Sequence, residues 1–196
     1  MTSNVQTQTR TGKQTCLVCI AIFLLAGFCF GQAVSSRSDW TQFHRTNMKR
    51  MNPYENVLNV HNVGRLGLKW SYTTGAQVFS SPAVANGVVY VGSVDGNVYA
   101  LKASTGAKLC SYQTGDYVFS SPAVANGVVY VGSVDGNVYA LKASTGAKLW
   151  SYTTGGYAYP SPAVANGVVY VGSDDGNVYA LNANTGALLW SYPTGG

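Results

Sequence analysis

The chain has 196 residues, 46% of them hydrophobic and only 10% charged, which excludes an intrinsically disordered protein, since that class combines low hydrophobicity with high net charge. Its 23 glycines, 14 tyrosines and single glutamate, Glu55, argue against a mostly helical protein, whose surface would be dressed with Glu and Lys, and point to an all-β one. The net charge of +5 resolves into +6 over residues 1–70 and −1 over residues 71–196, so the repetitive body carries no basic patch for nucleic acid.

In chain order, residues 1–13 are polar and hold Arg10 and Lys13; residues 16–30 (CLVCIAIFLLAGFCF) are an uncharged apolar run of fifteen. That length suits the h-region of an export signal and falls short of the roughly 20 residues a spanning helix needs. Gly31 and Ala33 lie three and one before a cut after Ala33. The segment 1–33 is therefore read as a cleaved signal peptide, with an uncleaved N-terminal membrane anchor as the alternative and the only expected route to a membrane. Cys16, Cys19 and Cys29 all lie in the apolar run, so a mature chain keeps Cys110 alone and has no internal disulfide. Residues 34–67 read as a lead-in segment. They contain both histidines, His44 and His61, which have no acidic or cysteine partner at metal-ligand spacing.

From residue 68 onward the chain repeats itself. Residues 81–120 and 121–160 agree at 34 of 40 positions, and residues 121–156 and 161–196 at 31 of 36. The period of 40 gives units of about 77–116, 117–156 and 157–196, preceded by the tail of an earlier unit at 68–75 (LKWSYTTG). Each unit reads as four short strands. In the first unit these are Ser81–Ala85, Val88–Ser93, Asn97–Lys102 and Lys108–Thr114. The turns between them are signalled by Asn86-Gly87, the pair best suited to positive φ at both centres of a hairpin, by Asp95-Gly96, and by Ser104-Thr105-Gly106. The second strand (VVYVG) is apolar on both faces and must be covered on both. Meanders stacked face to face achieve this, and that arrangement is a β-propeller of four-stranded antiparallel blades, about three of which are present.

The stretch NGVVYVGSxDGNVYAL followed by Ala140, Thr145, Gly146 and Trp150, and again by Ala180, Asn182, Thr185, Gly186 and Trp190, resembles the pyrroloquinoline-quinone (PQQ) repeat. That repeat builds the propellers of quinoprotein dehydrogenases and of the outer-membrane assembly lipoprotein BamB. The lead-in residues Asp39–Phe43 and Asn52–Glu55 are also similar to the segment before the first blade in bacterial members. The resemblance implies that Trp70, Trp150 and Trp190 dock neighbouring blades, together with Gly106, Gly146 and Gly186. Cys110 stands where a docking tryptophan is expected and should leave a void. Lys102 and Lys142 stand where the family has Asp or Asn.

The family's dehydrogenases bind PQQ and calcium through Glu, Asn and Asp ligands, with a catalytic Asp and an adjacent cysteine pair. This sequence has no adjacent cysteine pair, and Glu55 precedes the repeats. Asp95, Asp135 and Asp175 recur at one turn position, as turn chemistry predicts. Asp174-Asp175-Gly176-Asn177 lacks the further ligands of a calcium loop. No catalytic, cofactor-binding or metal residues are expected, with PQQ and calcium entering only under the alternative of a quinoprotein dehydrogenase fragment oxidising an alcohol or sugar. The tyrosine rows Tyr90, Tyr130, Tyr170 and Tyr99, Tyr139, Tyr179 are expected to pack blades rather than bind ligand. The residues that vary at the blade entrances, Gln77, Phe79, Tyr117, Phe119, Tyr157 and Tyr159, are the better ligand surface. The expected function is an exported, periplasmic, envelope or secreted scaffold that binds protein or cell-envelope components; a ligand-sensing module is a second alternative. Because propellers use four to eight blades, the chain is read as the front of a longer propeller, or else as half of a homodimer completing a six-bladed ring.

Overall fold

The computed structural model describes residues 40–41 and 57–195. The apolar run, Ala33, His44 and residues 52–55 lie outside them. After a single 3-10 turn at Val63–Arg65 the described chain is all strand and turn. Among the described residues no helix is long and apolar enough to cross a membrane.

Twelve strands form three four-stranded antiparallel meanders. The first blade holds β1 (Ala83–Ala85), β2 (Val88–Gly92), β3 (Asn97–Lys102) and β4 (Lys108–Gln113). The second holds β5 (Ala123–Ala125), β6 (Val128–Gly132), β7 (Asn137–Lys142) and β8 (Lys148–Thr153). The third holds β9 (Ala163–Ala165), β10 (Val168–Gly172), β11 (Asn177–Asn182) and β12 (Leu188–Pro193). The sheets remain open, as expected of an incomplete all-β propeller. The Asn-Gly turns adopt the expected geometry, with φ of 49° at Asn86 and 73° at Gly87, repeated at Asn126 and Asn166.

Strand ends differ slightly from expectation, for reasons of hydrogen bonding. β1 starts at Ala83 because Pro82 has no N–H to donate, while the Ser81 N–H reaches across to Ser121 Oγ in the next blade at 2.8 Å. β2 stops at Gly92 because Ser93 opens the turn, its N–H donating to Asn97 O at 3.0 Å. β4 stops at Gln113, and the Thr114 N–H turns to Gly96 O at 2.9 Å.

Alternation along the two middle strands builds the core. In the first two blades one parity (Tyr90, Val98, Ala100) faces the second blade, where it meets Val129, Val131, Tyr139 and Leu141. The same parity one repeat on (Tyr130, Val138, Ala140) meets Val169, Val171, Tyr179 and Leu181. Each fully buried Val or Leu here contributes about 1.5–3 kcal/mol. The inner strands β1, β5 and β9 stand side by side. On the exposed edge of β1, Trp40 adds an antiparallel bridge to Val84, with its N–H donating to Val84 O at 2.6 Å. Thr41 O then accepts the N–H of Val124 in the next blade at 2.6 Å, so this dipeptide joins two inner strands.

Candidate functional site

Two sets of residues singled out by sequence stand at different places: the seams between blades and one end of the blade stack.

At the seams, the indole of Trp70 lies over Gly106, where a Cβ would come within 2.6 Å of the ring, and donates its N–H to Ala103 O at 2.9 Å. Trp150 repeats both features on Gly186 and Ala183 O, again at 2.9 Å. The glycines sit at φ of 73°, so the seat requires glycine for both conformation and space. Between the first two blades Cys110 Sγ faces the seat of Gly146, and Cys110, Gly146, Tyr90, Leu141 and Ala143 line a cavity of about 10 Å³. The expected void is real but small. Burial pushes the Cys110 thiol up, away from the reactive thiolate. Trp190 is 48% exposed, with no blade over the outer face of β12 among the described residues.

The tyrosine rows pack the blades. Tyr90, Tyr130, Tyr99, Tyr139 and Tyr179 are all buried, while Tyr170 is half-buried beside the exposed Trp190. The second row closes a repeating clamp, in which the Tyr99 hydroxyl donates to Asp95 Oδ2 at 2.6 Å. The same oxygen accepts the N–H of Gly75 at 2.6 Å, while Oδ1 accepts that of Asn97 at 2.9 Å. Asp135 repeats the set with Tyr139, Gly115 and Asn137, and Asp175 with Tyr179, Gly155 and Asn177. The turn aspartate therefore ties its own turn to the end of the preceding blade's last strand, a link that sequence reading reduced to local turn chemistry. Burial would raise the Asp95 carboxyl, but the Tyr99 hydroxyl and the backbone N–H donors outweigh it and hold it below its ordinary value. Burial and the neighbouring Asp95 push the Tyr99 phenol up to about 12. These carboxylates are committed to protein donors. Among the described residues no group of three or more His, Cys, Asp or Glu is placed to hold a metal ion.

The entrance residues do converge. Residues 117–120 alternate in burial: Val118 and Ser120 are buried, Tyr117 is exposed and Phe119 half-buried. Val118 enters the space above Gly92, where a Cβ would lie 2.4 Å from Val118 Cγ1. The Val118 N–H donates to Ser93 O at 3.1 Å, and Tyr117 O accepts from Val134 at 3.0 Å, so the segment is held between the turns of two blades. Its outward rings form a row along one rim. Phe79 to Phe119 is 5.6 Å between centroids and Phe119 to Tyr159 is 5.7 Å. Tyr117 and Tyr157 stand edge-on to Phe119 and Tyr159 at 6.1 and 5.4 Å. Phe79 is 67% exposed and Tyr157 51%. Gln77 has the same register and is exposed, but its contribution is its backbone, Gln77 O accepting from Val94 at 2.9 Å. A row of exposed rings can stack on flat or cationic groups and bury apolar side chains.

A family model described as outer membrane protein assembly factor BamB matches residues 66–119 and 114–196. No curated protein sequence matches significantly. Among solved structures, BamB from Moraxella catarrhalis is 26% identical with a TM-score of 0.57, covering 64% of this chain and 39% of its own. Quinohemoprotein alcohol dehydrogenase ADHIIG from Pseudomonas putida HK5 is 31% identical with a TM-score of 0.71, covering 80% of this chain and 26% of its own. The quinohemoprotein alcohol dehydrogenase of Comamonas testosteroni is 28% identical with a TM-score of 0.69, covering 79% and 27%. The chain thus spans well under half the length of each.

Proposed function

The chain belongs to the PQQ-repeat propeller family described as outer membrane protein assembly factor BamB, and from that premise we propose that it is an exported, non-catalytic scaffold that binds a protein or cell-envelope component. The observation that carries this reading is the exposed aromatic row Phe79–Phe119–Tyr159 along one rim. A periplasmic or envelope location goes with the reading, in keeping with the family description. The test is to immobilise the chain and challenge it with envelope extract, beside a variant in which Tyr117 and Tyr157 are both serine. A partner retained by the parent and lost by the variant is the expected result; equal retention by both removes the rim from the account.

The similarity to quinohemoprotein alcohol dehydrogenases favours a second reading, a fragment of a PQQ-dependent enzyme. The described residues do not fit that group. Calcium needs several oxygen ligands converging on one point, whereas Asp95, Asp135 and Asp175 stand one per blade, each with its carboxylate bonded to its own tyrosine and backbone donors. Dye-linked alcohol oxidation on adding PQQ and calcium would reinstate the enzyme.

A homodimer completing a six-bladed ring also belongs to this proposal, and geometry sets a condition on it. Trp190 and Tyr192 are exposed on the third blade as a docking face, yet the matching seat on Gly106 is filled by the chain's own Trp70. A second copy must therefore replace residues 68–75 with its β12; the two segments agree at six of eight positions, comparing LKWSYTTG with LLWSYPTG. Light scattering after size exclusion reads the mass directly.

A further inference from the structure

The charged residues of the blades sort to opposite ends. From residue 71 on there are four lysines and five aspartates. Lys102 and Lys142 stand opposite Val88 and Val128, beside the Asn-Gly turns, and Lys108 and Lys148 stand opposite Leu101 and Leu141 at the same end. All five aspartates lie at the other end, in or beside the turns that carry the aromatic row. Strands of five to six residues separate the two ends by about 17–20 Å. Three of the aspartates are consumed by the inter-blade clamp. Asp116 and Asp174 are exposed, and neither meets a cation among the described residues. Both are tied to the backbone of the segments that carry the rings: the Tyr117 N–H donates to Asp116 Oδ1 at 2.7 Å, and the Asp174 N–H donates to Tyr157 O at 3.0 Å.

Resting on the reading of this rim as a protein-binding surface, we propose that its partner is an extended cationic segment, whose lysine or arginine side chains lie over the rings and are neutralised by Asp116 and Asp174. A cation is attracted to an aromatic face within about 6 Å of the centroid. Alternate side chains of an extended peptide stand about 6.6–6.8 Å apart on one face, close to the 5.6 and 5.7 Å steps of the Phe79–Phe119–Tyr159 row. Exposed carboxylates with no cation partner among the described residues complete a surface that attracts basic segments and repels acidic ones. The lysines at the far end make the choice of rim specific.

The test titrates the full chain with three dodecapeptides, (Gly-Lys)6, its fully lysine-acetylated form and (Gly-Glu)6, and with maltohexaose, reading heat and the aromatic NMR signals of Phe79, Phe119 and Tyr159. The lysine peptide should bind, shift those rings and weaken several-fold between 50 and 300 mM salt. Asp116→Asn with Asp174→Asn, which keeps the acceptor for the Tyr117 N–H, should weaken it about five- to tenfold. Lys142→Ala with Lys148→Ala should leave it unchanged. Equal binding of the acetylated peptide overturns the cationic inference and leaves the protein-binding reading standing. Ring shifts with maltohexaose in place of the peptides reassign the rim to sugar. No ring shift with any probe overturns both.

Discussion

The indole N–H of Trp150 donates to the carbonyl of Ala183 at 2.9 Å, the same carbonyl that accepts the Tyr130 hydroxyl at 3.2 Å. One seam earlier, the Ala143 carbonyl accepts the Tyr90 hydroxyl at 3.2 Å, but Cys110 occupies the indole's place. The strand pairs that carry Cys110 and Trp150 keep the same register, although the seams also differ where Val118 stands in one and Ala158 in the other. The comparison therefore points to what a docking tryptophan contributes.

Cys110→Trp should stabilise the protein by no more than about 1 kcal/mol, from one further hydrogen bond to Ala143 O, because the cavity of about 10 Å³ over Gly146 must widen to admit the ring. Trp150→Ala should cost about 3 kcal/mol or more, since it empties a buried seat. Trp190→Ala should cost under about 1 kcal/mol, because that ring is 48% exposed. Urea unfolding of the three variants beside the parent measures the order.

Glycines separate in the same way. A Cβ on Gly132 would lie 2.1 Å from the backbone oxygen of Ala158, which cannot swing aside. Gly127 has φ of 75° but nothing within 4 Å of its Cβ position. Gly132→Ala should thus cost about 3 kcal/mol or more by prising blades apart. Gly127→Ala should cost about 1–2 kcal/mol, the strain of the left-handed conformation alone. A melt in which both fall equally would contradict the close-packed seam.

The blade meander was legible in the sequence because hairpin turns and strand alternation are local: Asn86-Gly87 and the VVYVG runs specify them within a few residues. The tryptophans and glycines could be picked out as blade-docking residues through the resemblance to the PQQ repeat, but which glycine meets which indole could not. What the sequence did not display is register between blades. Nothing near Asp95 indicates that its second oxygen reaches Gly75, twenty residues earlier and in a preceding strand. Likewise the variable entrance residues could be picked out as a set, but only packing on Gly92 and Gly132 turns Phe79, Phe119 and Tyr159 into a continuous row. Asp116 escaped notice as a site residue because it differs from repeat to repeat and belongs to no motif, and Asp174 was weighed only as part of an incomplete calcium loop. For Trp190 the neighbours in the sequence are those of a buried tryptophan, while its burial depends on a blade beyond it.

The clamps predict a stability plateau with two edges. Asp95 and Asp175 are held below the ordinary carboxyl value near 3.9, against burial, by tyrosine hydroxyl and backbone donors. A depressed folded pKa contributes stability that is present above about pH 4 and lost as pH falls below it. Tyr99 is raised from about 10 to about 12, first by burial and then by Asp95, so its contribution is present below pH 10 and lost between about pH 10 and 12. Tyr139 and Tyr179 are raised in the same sense. Melting temperature should therefore be flat from about pH 5 to 9 and fall at both ends, and Tyr99→Phe with Tyr139→Phe should blunt the alkaline fall. A single edge on the acid side would mean that the phenols do not ionise with unfolding.

The bridge between Trp40 and Val84 makes a prediction about the inner strand edges. Val84 uses both its N–H and its carbonyl on Trp40, and Val124 uses its N–H on Thr41 O. Val164, the equivalent residue of the third blade, has no such bond among the described residues. Hydrogen exchange should rank these amides, with Val84 and Val124 slow and Val164 fast despite the identical SPAVANG surroundings. Trp40→Pro removes one donor and disturbs the extended pairing at little other cost to the blades. It should speed exchange at Val84 and Val124 together and leave Val164 as it was. The edge so exposed is a row of unpaired backbone groups, a template for another chain, so the same variant should show a greater tendency to associate on concentration. If Val84 and Val124 exchange as fast as Val164 in the parent, the two residues before the repeats do not clasp the inner strands in solution.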